Sequence, residues 1–148
     1  MPLQVIIQGL EEFKSDMSNS PSLIKDEIKQ AMVNSVNVIK NSAQDIVPYQ
    51  TGTLRRSIFT DVSTDGLEGM IYQDHSIAPY GRYIEEGTGE FVGHSRWLGN
   101  IPGVGWRWIR GMQGQPYMIP AFEQSLDKIT EYFSEAIKNV VIKLSGKI

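Results

Sequence analysis

Two long stretches with helical periodicity constrain the fold of this chain more than any other feature. The first comes after Asn19-Ser20-Pro21, where Ser20 can cap a helix and Pro21 suits its first position. From there to about Val47, apolar residues recur every three or four positions, which predicts one helix with a continuous apolar stripe. The residues in this series are Ile24, Ile28, Ala31, Ser35, Ile39, Ala43 and Ile46.

The predicted length of this helix raises a question about its packing. A helix of about 27 residues is roughly 40 Å long, whereas a domain of this size has a radius of gyration of roughly 15 Å. One interpretation is that part of the helix projects beyond its own core or packs on a neighbouring subunit. The other is that the helix is curved or kinked and spreads along a sheet.

The second helical pattern occupies the end of the chain. It starts at Pro120, since proline is favoured in the first turn of a helix, and it ends near Gly146. Its apolar residues again recur at steps of three or four, which predicts a second long amphipathic helix. They are Phe122, Leu126, Ile129, Phe133, Ala136, Val140 and Leu144.

The stretch from Val47 to Ile58 joins the first helix to a region with strand character. Pro48 stops the helix, because its ring disfavours the α conformation of the residue before it. Gly52 can adopt a positive φ at little cost, so the chain can turn there. We expect Thr53 to Ile58 to form the start of a strand.

Residues 57–62 and 67–73 favour two strands separated by a turn that ends in Asp-Gly, which predicts an antiparallel hairpin. Residues 80–86 suit about two turns of helix that stop at Gly87. Near the N-terminus, residues 5–7 favour a brief strand and residues 10–17 a short helix. The sequence therefore predicts an α+β fold in which two long helices pack on one face of a small antiparallel sheet.

Residues 87–115 differ from the rest of the chain in composition. They contain eight glycines and all three tryptophans, Trp97, Trp106 and Trp108. Their charge is near +2, because Arg96, Arg107 and Arg110 outnumber Glu90. We expect a long glycine- and tryptophan-rich loop that is mobile or extended, since glycine raises the entropic cost of ordering a segment.

Three roles for this segment remain open at this point. Aromatic residues beside arginines suit a protein–protein contact or stacking on single-stranded nucleic acid. The third interpretation is that the tryptophans close the core. For a partner contact, the candidate residues are Trp97, Trp106, Arg107, Trp108 and Arg110, with Arg107 paired to an acidic patch such as Glu85 and Glu86 of the next subunit.

Composition bounds the class of protein. With 148 residues, 41% hydrophobic and 21% charged, the chain suits one globular domain spanning residues 1–148. The net charge of −3 does not favour nucleic-acid or membrane binding, and no apolar run approaches the ~20 residues of a membrane span. Residues 1–10 lack a basic region, so no signal peptide is expected. The absence of cysteine excludes disulfides and thiolate metal sites.

Catalytic chemistry has little support in the sequence. The two histidines, His75 and His94, do not stand in a metal-ligand spacing. No nucleophile-elbow pattern surrounds any serine, and no phosphate-binding glycine loop is present. We therefore expect no enzyme activity and no cofactor.

Three motifs in order resemble the HK97 gp10-like family of tailed-phage neck and tail-completion proteins. Pro48-Tyr49-Gln50-Thr51-Gly52-Thr53-Leu54-Arg55-Arg56-Ser57-Ile58 is similar to the family pattern P-x-x-T-G-x-L-x-x-S-I. Residues 80–88 are similar to Y-A-x-Y-x-E-x-G-T, with Gly81 where the family often has alanine, and residues 115–122 to x-P-F-M-x-P-A. The tryptophan-rich segment between the second and third motifs is longer than the family pattern predicts.

This resemblance implies a structural virion protein of a tailed phage or prophage that forms a head–tail connector or tail-completion ring. Its partners would be copies of itself, in a ring such as a hexamer, and neighbouring connector or tail proteins. DNA would meet it only by passing through the ring. The protein would be assembled in the host cytoplasm and end in the virion. The alternative is a nucleic-acid-binding module that uses the arginines and tryptophans of residues 87–115.

The motif aromatics Tyr83, Tyr117 and Phe122 are expected in the core.

Overall fold

The computed structural model describes residues 3–5, 22–48 and 52–145, which form an α+β fold. Both predicted long helices are confirmed, with 25 and 28 residues. The short helix predicted at residues 10–17 and the cap at residues 19–21 lie outside the described residues. In chain order the elements are β1 (Leu3–Val5), α1 (Ser22–Ile46), α2 (Thr53–Arg56), β2 (Ile58–Val62), β3 (Gly69–Gln73), α3 (Gly81–Glu86), a 3₁₀ helix (Gly89–Val92), β4 (Trp97–Ile101), β5 (Gly105–Ile109) and α4 (Met118–Ser145).

The predicted β2–β3 hairpin is part of a three-stranded antiparallel sheet with the order β1-β3-β2, in which β3 is the central strand. In the β2–β3 pair, Ile58 lies opposite Gln73 and Val62 opposite Gly69. The turn between them is closed by side chains, since the Ser63 hydroxyl accepts a hydrogen bond from the Glu68 amide at 3.0 Å. At the N-terminus, β1 includes Val5 of the predicted strand, and residues 6–7 lie outside the described part of the chain.

Helix α1 packs directly on this sheet. Its closest approach is at Gly69 of β3, where a Cβ atom would lie 2.6 Å from Val36 Cγ1 and 2.8 Å from Met32 Sδ. Contacts this short are not tolerated, so a larger residue at position 69 would push the helix away from the sheet. The buried residues of α1 lie on a wide stripe that faces both the sheet and α4: Ile28, Ala31, Met32, Ser35, Val36, Ile39 and Ala43.

Helix α4 lies antiparallel to α1 and packs mainly against it. Among the helices of the described residues, α1 makes the extensive contacts with β2 and β3. Near one end of the pair, Glu27 binds Lys143 and accepts a hydrogen bond from Asn139 at 3.2 Å. Near the other end, Ser42 contacts Gln124 at 3.5 Å. Helix α1 thus lies directly on the sheet, and α4, which packs mainly on α1, joins the same buried core through Met118 and Ala121.

This layering answers the question raised by the length of α1. A separate buried cluster joins Ile28 and Ala31 of α1 to Ala136 of α4 and to Leu67 of the β2–β3 turn. The N-terminal part of α1 is thus covered by the C-terminal half of α4 within the same chain. None of the helices in the described residues is both long and apolar enough to span a bilayer.

The joint after α1 differs from the prediction. Residues 53–56 form one helical turn, α2, and the strand begins only at Ile58. Gly52 adopts φ 74°, and the amide of Arg56 donates to the Gly52 carbonyl at 3.0 Å. This turn buries Leu54 in the main core, which an extended backbone starting at Thr53 would not do.

Residues 87–115 are not an irregular loop, which corrects the prediction for this segment. They contain the 3₁₀ helix and the antiparallel pair β4–β5. Several of the glycines adopt positive φ at the bends around these elements, where other residues would be strained. Among the motif aromatics, Tyr117 is buried and Phe122 packs against the core, whereas Tyr83 is 55% exposed, so its assignment to the core was wrong.

Candidate functional site

The β4–β5 hairpin, residues 97–109, forms an arm that stands apart from the helices and the three-stranded sheet. Its two strands pair with each other along their whole length, from Trp97 opposite Ile109 to Ile101 opposite Gly105. Neither strand makes extensive contact with another element among the described residues. An arm of this kind contributes little to the core and leaves most of its side chains accessible.

The strand register divides the arm into two faces. Successive side chains of a strand point to opposite faces, so Trp106 and Trp108 share one face with their cross-strand neighbours Asn100 and Leu98. We call this the outer face. Trp106 is 69% exposed and Trp108 is 67% exposed, and Leu98 beside them is exposed as well. The outer face is therefore an accessible apolar surface dominated by two indole rings.

The opposite face of the arm is turned towards the 3₁₀ helix. Trp97 lies near Gly89, where an added Cβ would come within 2.8 Å of the indole ring. Ile109, the cross-strand partner of Trp97, fills the space beside Gly99, where a Cβ would meet Ile109 Cδ1 at 2.3 Å. Arg107 also belongs to this face by register. The face is therefore partly used for packing at its base.

A charged cluster closes the base of the arm. Glu90, in the 3₁₀ helix, binds Arg96 just before β4 and Arg110 just after β5, the latter at 2.8 Å. The hydrogen bonds from Arg96 and then Arg110 hold the pKa of the Glu90 carboxyl below its usual range. Two positive charges and one negative charge leave the cluster with a net charge of +1. It fixes where the two strands leave the body of the protein.

Backbone hydrogen bonds continue from this cluster to the body of the protein. The Glu90 amide donates to the Arg110 carbonyl at 2.7 Å, and the Thr88 amide donates to the Met112 carbonyl at 2.8 Å. Further on, the Gln115 amide donates to the Ile84 carbonyl of α3 at 2.7 Å. The arm is therefore connected to α3 by a series of backbone hydrogen bonds between the two segments that lead into it.

The carboxylate of Glu85 links α3 to the start of α4. Its Oε2 accepts hydrogen bonds from the amides of Tyr117 at 2.8 Å and Met118 at 3.2 Å, where helix α4 has unpaired donors. Burial, with the nearby Glu85 charge as a second cause, raises the pKa of Tyr117 to about 12. Glu86 in turn pairs with Arg82 at 3.0 Å. Both acidic residues suggested as an intersubunit patch for Arg107 therefore already have partners within the chain.

The structure brings together only some of the candidate residues predicted from sequence. Trp106 and Trp108 form one surface, whereas Trp97 and Arg107 lie on the other face of the arm. Arg110 is bound to Glu90 at the base. Sequence adjacency placed Arg107 between two tryptophans, but the alternation of a strand separates it from both.

A second exposed apolar surface, which the sequence did not predict, lies on α4. Ile119, Leu126, Ile137 and Val141 are all exposed, and at 100° per residue they fall within about 60° of one another. We call them the α4 stripe. Leu126 was assigned to the core-facing series from its spacing, and its exposure shows that this was wrong. The sequence did contain a signal for the α4 stripe, because its four apolar residues are separated by seven, eleven and four positions and lie beside the core-facing series.

An acidic row begins next to the α4 stripe and winds away from it along the helix. It consists of exposed carboxylates four residues apart, which neighbour one another on a helix: Glu123, Asp127, Glu131 and Glu135. Like charges at this spacing destabilise an isolated helix by about 0.2–0.5 kcal/mol per pair. The row therefore gives one side of α4 a negative potential at a small cost in stability.

The end of the first sequence motif takes part in a buried polar cluster. The Ser57 hydroxyl, fully buried, donates to the Leu54 carbonyl at 2.7 Å and accepts from Gln73 Nε2 at 3.1 Å. Gln73 Nε2 also lies 2.7 Å from the carbonyls of Asp74 and Ala78. This cluster holds α2, β3 and the turn before α3 together, so Leu54 and Ser57 of the motif have a structural role. Residues 49–51 of the first motif lie outside the described residues.

Within residues 3–5, 22–48 and 52–145, no group of three His, Cys, Asp or Glu side chains is arranged to hold a metal ion. The outer face of the arm and the α4 stripe are both accessible apolar surfaces.

Residues 11–87, just over half of the chain, match the family described as Bacteriophage HK97-gp10, putative tail-component. The chain belongs to the HK97-gp10-like family. The resemblance drawn from the sequence motifs is thereby confirmed, and the match contains the first motif and nearly all of the second. Comparisons with curated proteins and with solved structures gave no match. The match to the HK97-gp10-like family ends at Gly87, so the arm and α4 lie beyond it, and only their geometry bears on their role.

Proposed function

We propose that this chain is a non-enzymatic structural component of a tailed-phage or prophage virion, a ring-forming head–tail connector or tail-completion subunit. The family description as a putative tail-component supports the phage role. The observation that carries the assembly role is the outer face of the arm, where two indole rings on one face of a two-stranded sheet are about two-thirds exposed.

An exposed pair of tryptophans is costly unless another surface covers it. Tryptophan is enriched among the residues that dominate binding energy at interfaces, and each buried ring removes about 150–250 Å² from water. The arm has no competing role in the core, since its strands pair chiefly with each other. A subunit whose partners are copies of itself and neighbouring phage proteins is the function that best accounts for such a surface.

The alternative, a nucleic-acid-binding module, is less well supported. Of the three arginines in residues 87–115, Arg96 and Arg110 are bound to Glu90. Arg107 is the remaining arginine of this segment, and its register places it on the face opposite Trp106 and Trp108. A surface that stacks bases normally combines aromatic rings with several cations along the backbone path.

The test is the double variant Trp106→Ala/Trp108→Ala, expressed in place of the wild-type chain during phage or prophage production. Because both rings lie outside the core, the variant should fold with an unchanged melting temperature. If the arm serves assembly, purified lysates should contain unjoined heads and tails by electron microscopy, and the isolated variant should fail to form rings.

Tyr83→Ala provides a matched control, since it removes a similarly accessible aromatic ring outside the arm. It should support normal particles. If rings form with the double variant and only DNA retention fails, the nucleic-acid role replaces the assembly role. Particles that assemble normally and retain their DNA would show that both proposals for the arm are wrong.

A further inference from the structure

We propose that the outer face of the arm docks on the α4 stripe of a second copy of this chain, so that the ring contact is heterologous. This inference rests on the proposed function and specifies its interface. The chain carries two separate exposed apolar surfaces, and the tertiary structure leaves neither of them covered within the described residues. One is the arm face with Trp106 and Trp108, and the other is the α4 stripe.

The two surfaces have compatible lengths. On the arm, Trp106 and Trp108 are two residues apart, so their Cα atoms are about 7 Å apart and the rings project from the same face. On α4, Leu126 and Ile137 are separated along the helix by about 16 Å. Between them lie Thr130 and, towards the core, the partly buried ring of Phe133. The α4 stripe is therefore long enough to receive both indoles.

The segments that carry the two surfaces have net charges of opposite sign. Residues 87–115 carry a net charge near +2, and the cluster of Glu90 with its two arginines leaves a net positive charge at the base of the arm. Residues 118–142 of α4 carry four carboxylates against Lys128 and Lys138, a net charge of −2. Glu123 and Asp127 of the acidic row lie nearest the stripe, whereas Glu131 and Glu135 lie progressively further around the helix. This arrangement favours approach of an arm and disfavours approach of a second α4 helix.

The area that a stable contact must bury also favours an extended surface on the copy that receives the arm. Two indole rings account for about 300–500 Å², whereas a stable interface buries about 800 Å² on each partner. The α4 stripe spans Ile119 to Val141, about 33 Å of helix, so the rest of the arm can lie along it. Since the two patches differ, each copy offers one donor and one acceptor surface, and such contacts close into rings.

A mixing experiment tests this pairing. The arm variant Trp106→Ala/Trp108→Ala lacks the donor surface, and the stripe variant Leu126→Lys/Ile137→Lys lacks the acceptor surface. Each variant alone should be monomeric by size-exclusion chromatography with light scattering, at concentrations where the wild-type chain forms rings. Mixed in equal amounts, they should form heterodimers, because one intact arm can meet one intact stripe.

The controls separate this inference from the proposed function. Ile77→Lys changes an exposed isoleucine outside both surfaces and should leave rings intact. Circular dichroism should show that all variants keep wild-type helix content, since the substituted side chains are exposed. If the stripe variant forms rings like the wild type, or if the mixture stays monomeric, the arm docks elsewhere and the inference is overturned. The proposed function is tested separately, and it survives in any variant that still joins heads to tails. A wild-type chain that joins heads to tails yet stays monomeric at every concentration would also overturn the inference.

Discussion

Gly81 lies in a space that has no room for a side chain. A Cβ at this position would be 2.5 Å from Cδ and Oε1 of Gln73 and 2.9 Å from Leu54 Cδ1. Gln73 cannot easily yield, because its Nε2 is held by Ser57 and by two backbone carbonyls. The position of the Gln73 side chain therefore explains why position 81 is occupied by glycine.

We predict that Gly81→Ala destabilises the protein by about 1–3 kcal/mol, the usual cost of overpacking a filled site. In a Gln73→Ala background the same substitution should be neutral or stabilising, because the space is vacated and alanine favours the helix by about 0.5–1 kcal/mol over glycine. Chemical denaturation of the four proteins measures the coupling. Equal costs in both backgrounds would refute the role given to Gln73.

Ile28 illustrates a residue whose role depends on both long helices. It is 7% exposed and clusters with Ala31, Leu67 and Ala136. We predict that Ile28→Asp destabilises the protein by at least about 3 kcal/mol, because a carboxylate would be buried without a partner. Asn37→Asp introduces the same charge on the exposed side of α1 and should change the melting temperature little. An unchanged melting temperature for Ile28→Asp would mean that this face of α1 is not core.

Among the elements, the arm depends on Glu90 for its position. Because the pKa of this carboxyl is lowered in the folded protein, its stabilising effect is complete above the unfolded value of about 4.3. The effect is lost as the pH falls through the lowered folded pKa. The base of the arm should therefore loosen in acid while remaining intact at neutral pH.

We predict that the indole N–H resonance of Trp97, beside the 3₁₀ helix that carries Glu90, shifts between pH 6 and pH 3 with a midpoint below about 4.3. Glu90→Gln should abolish this transition, because the titrating group is gone. Glu123→Gln, an exposed carboxylate on α4, serves as the control and should leave it unchanged. A transition that persists in Glu90→Gln would assign the pH dependence to another group.

The molecule combines a compact body with a projecting arm. The body has two buried clusters that join the sheet, α1 and α4. The arm is held by the pairing of its own strands and by the charged cluster at its base. A two-stranded hairpin without further packing is only marginally stable in water.

We predict that amides of residues 97–109 exchange with solvent rapidly in the monomer and slowly in the assembled ring. Amides of α1 should be protected in both states, because they lie in the stable core. Hydrogen exchange measured by mass spectrometry at low and high protein concentration makes this comparison. Slow exchange of the arm in the monomer would show that it is rigid before assembly.

Much of the architecture is predictable because it is local in sequence. The spacing of apolar residues predicts α1 and α4 almost to the residue, and the Asp-Gly turn predicts the β2–β3 hairpin. These signals work because a helix or a half-buried strand repeats its burial at a fixed period. Composition also identifies the tryptophans of the arm as candidate contact residues, although their role remains a proposal.

Only the tertiary structure shows which surfaces from distant parts of the sequence pack against each other. Whether Leu126 is buried depends on where α1 passes, since α4 has apolar residues on more than one side. The sequence of the arm predicts a loop, because its exposed strands lack the alternation of apolar and polar residues that is typical of half-buried strands. The pairing of β4 with β5 is seen only in the structure. Periodicity and motifs in the sequence were enough to define most elements and the family. The layering of α4 on α1, the two faces of the arm and the exposed stripe were decided by long-range packing, because burial is a property of pairs of surfaces.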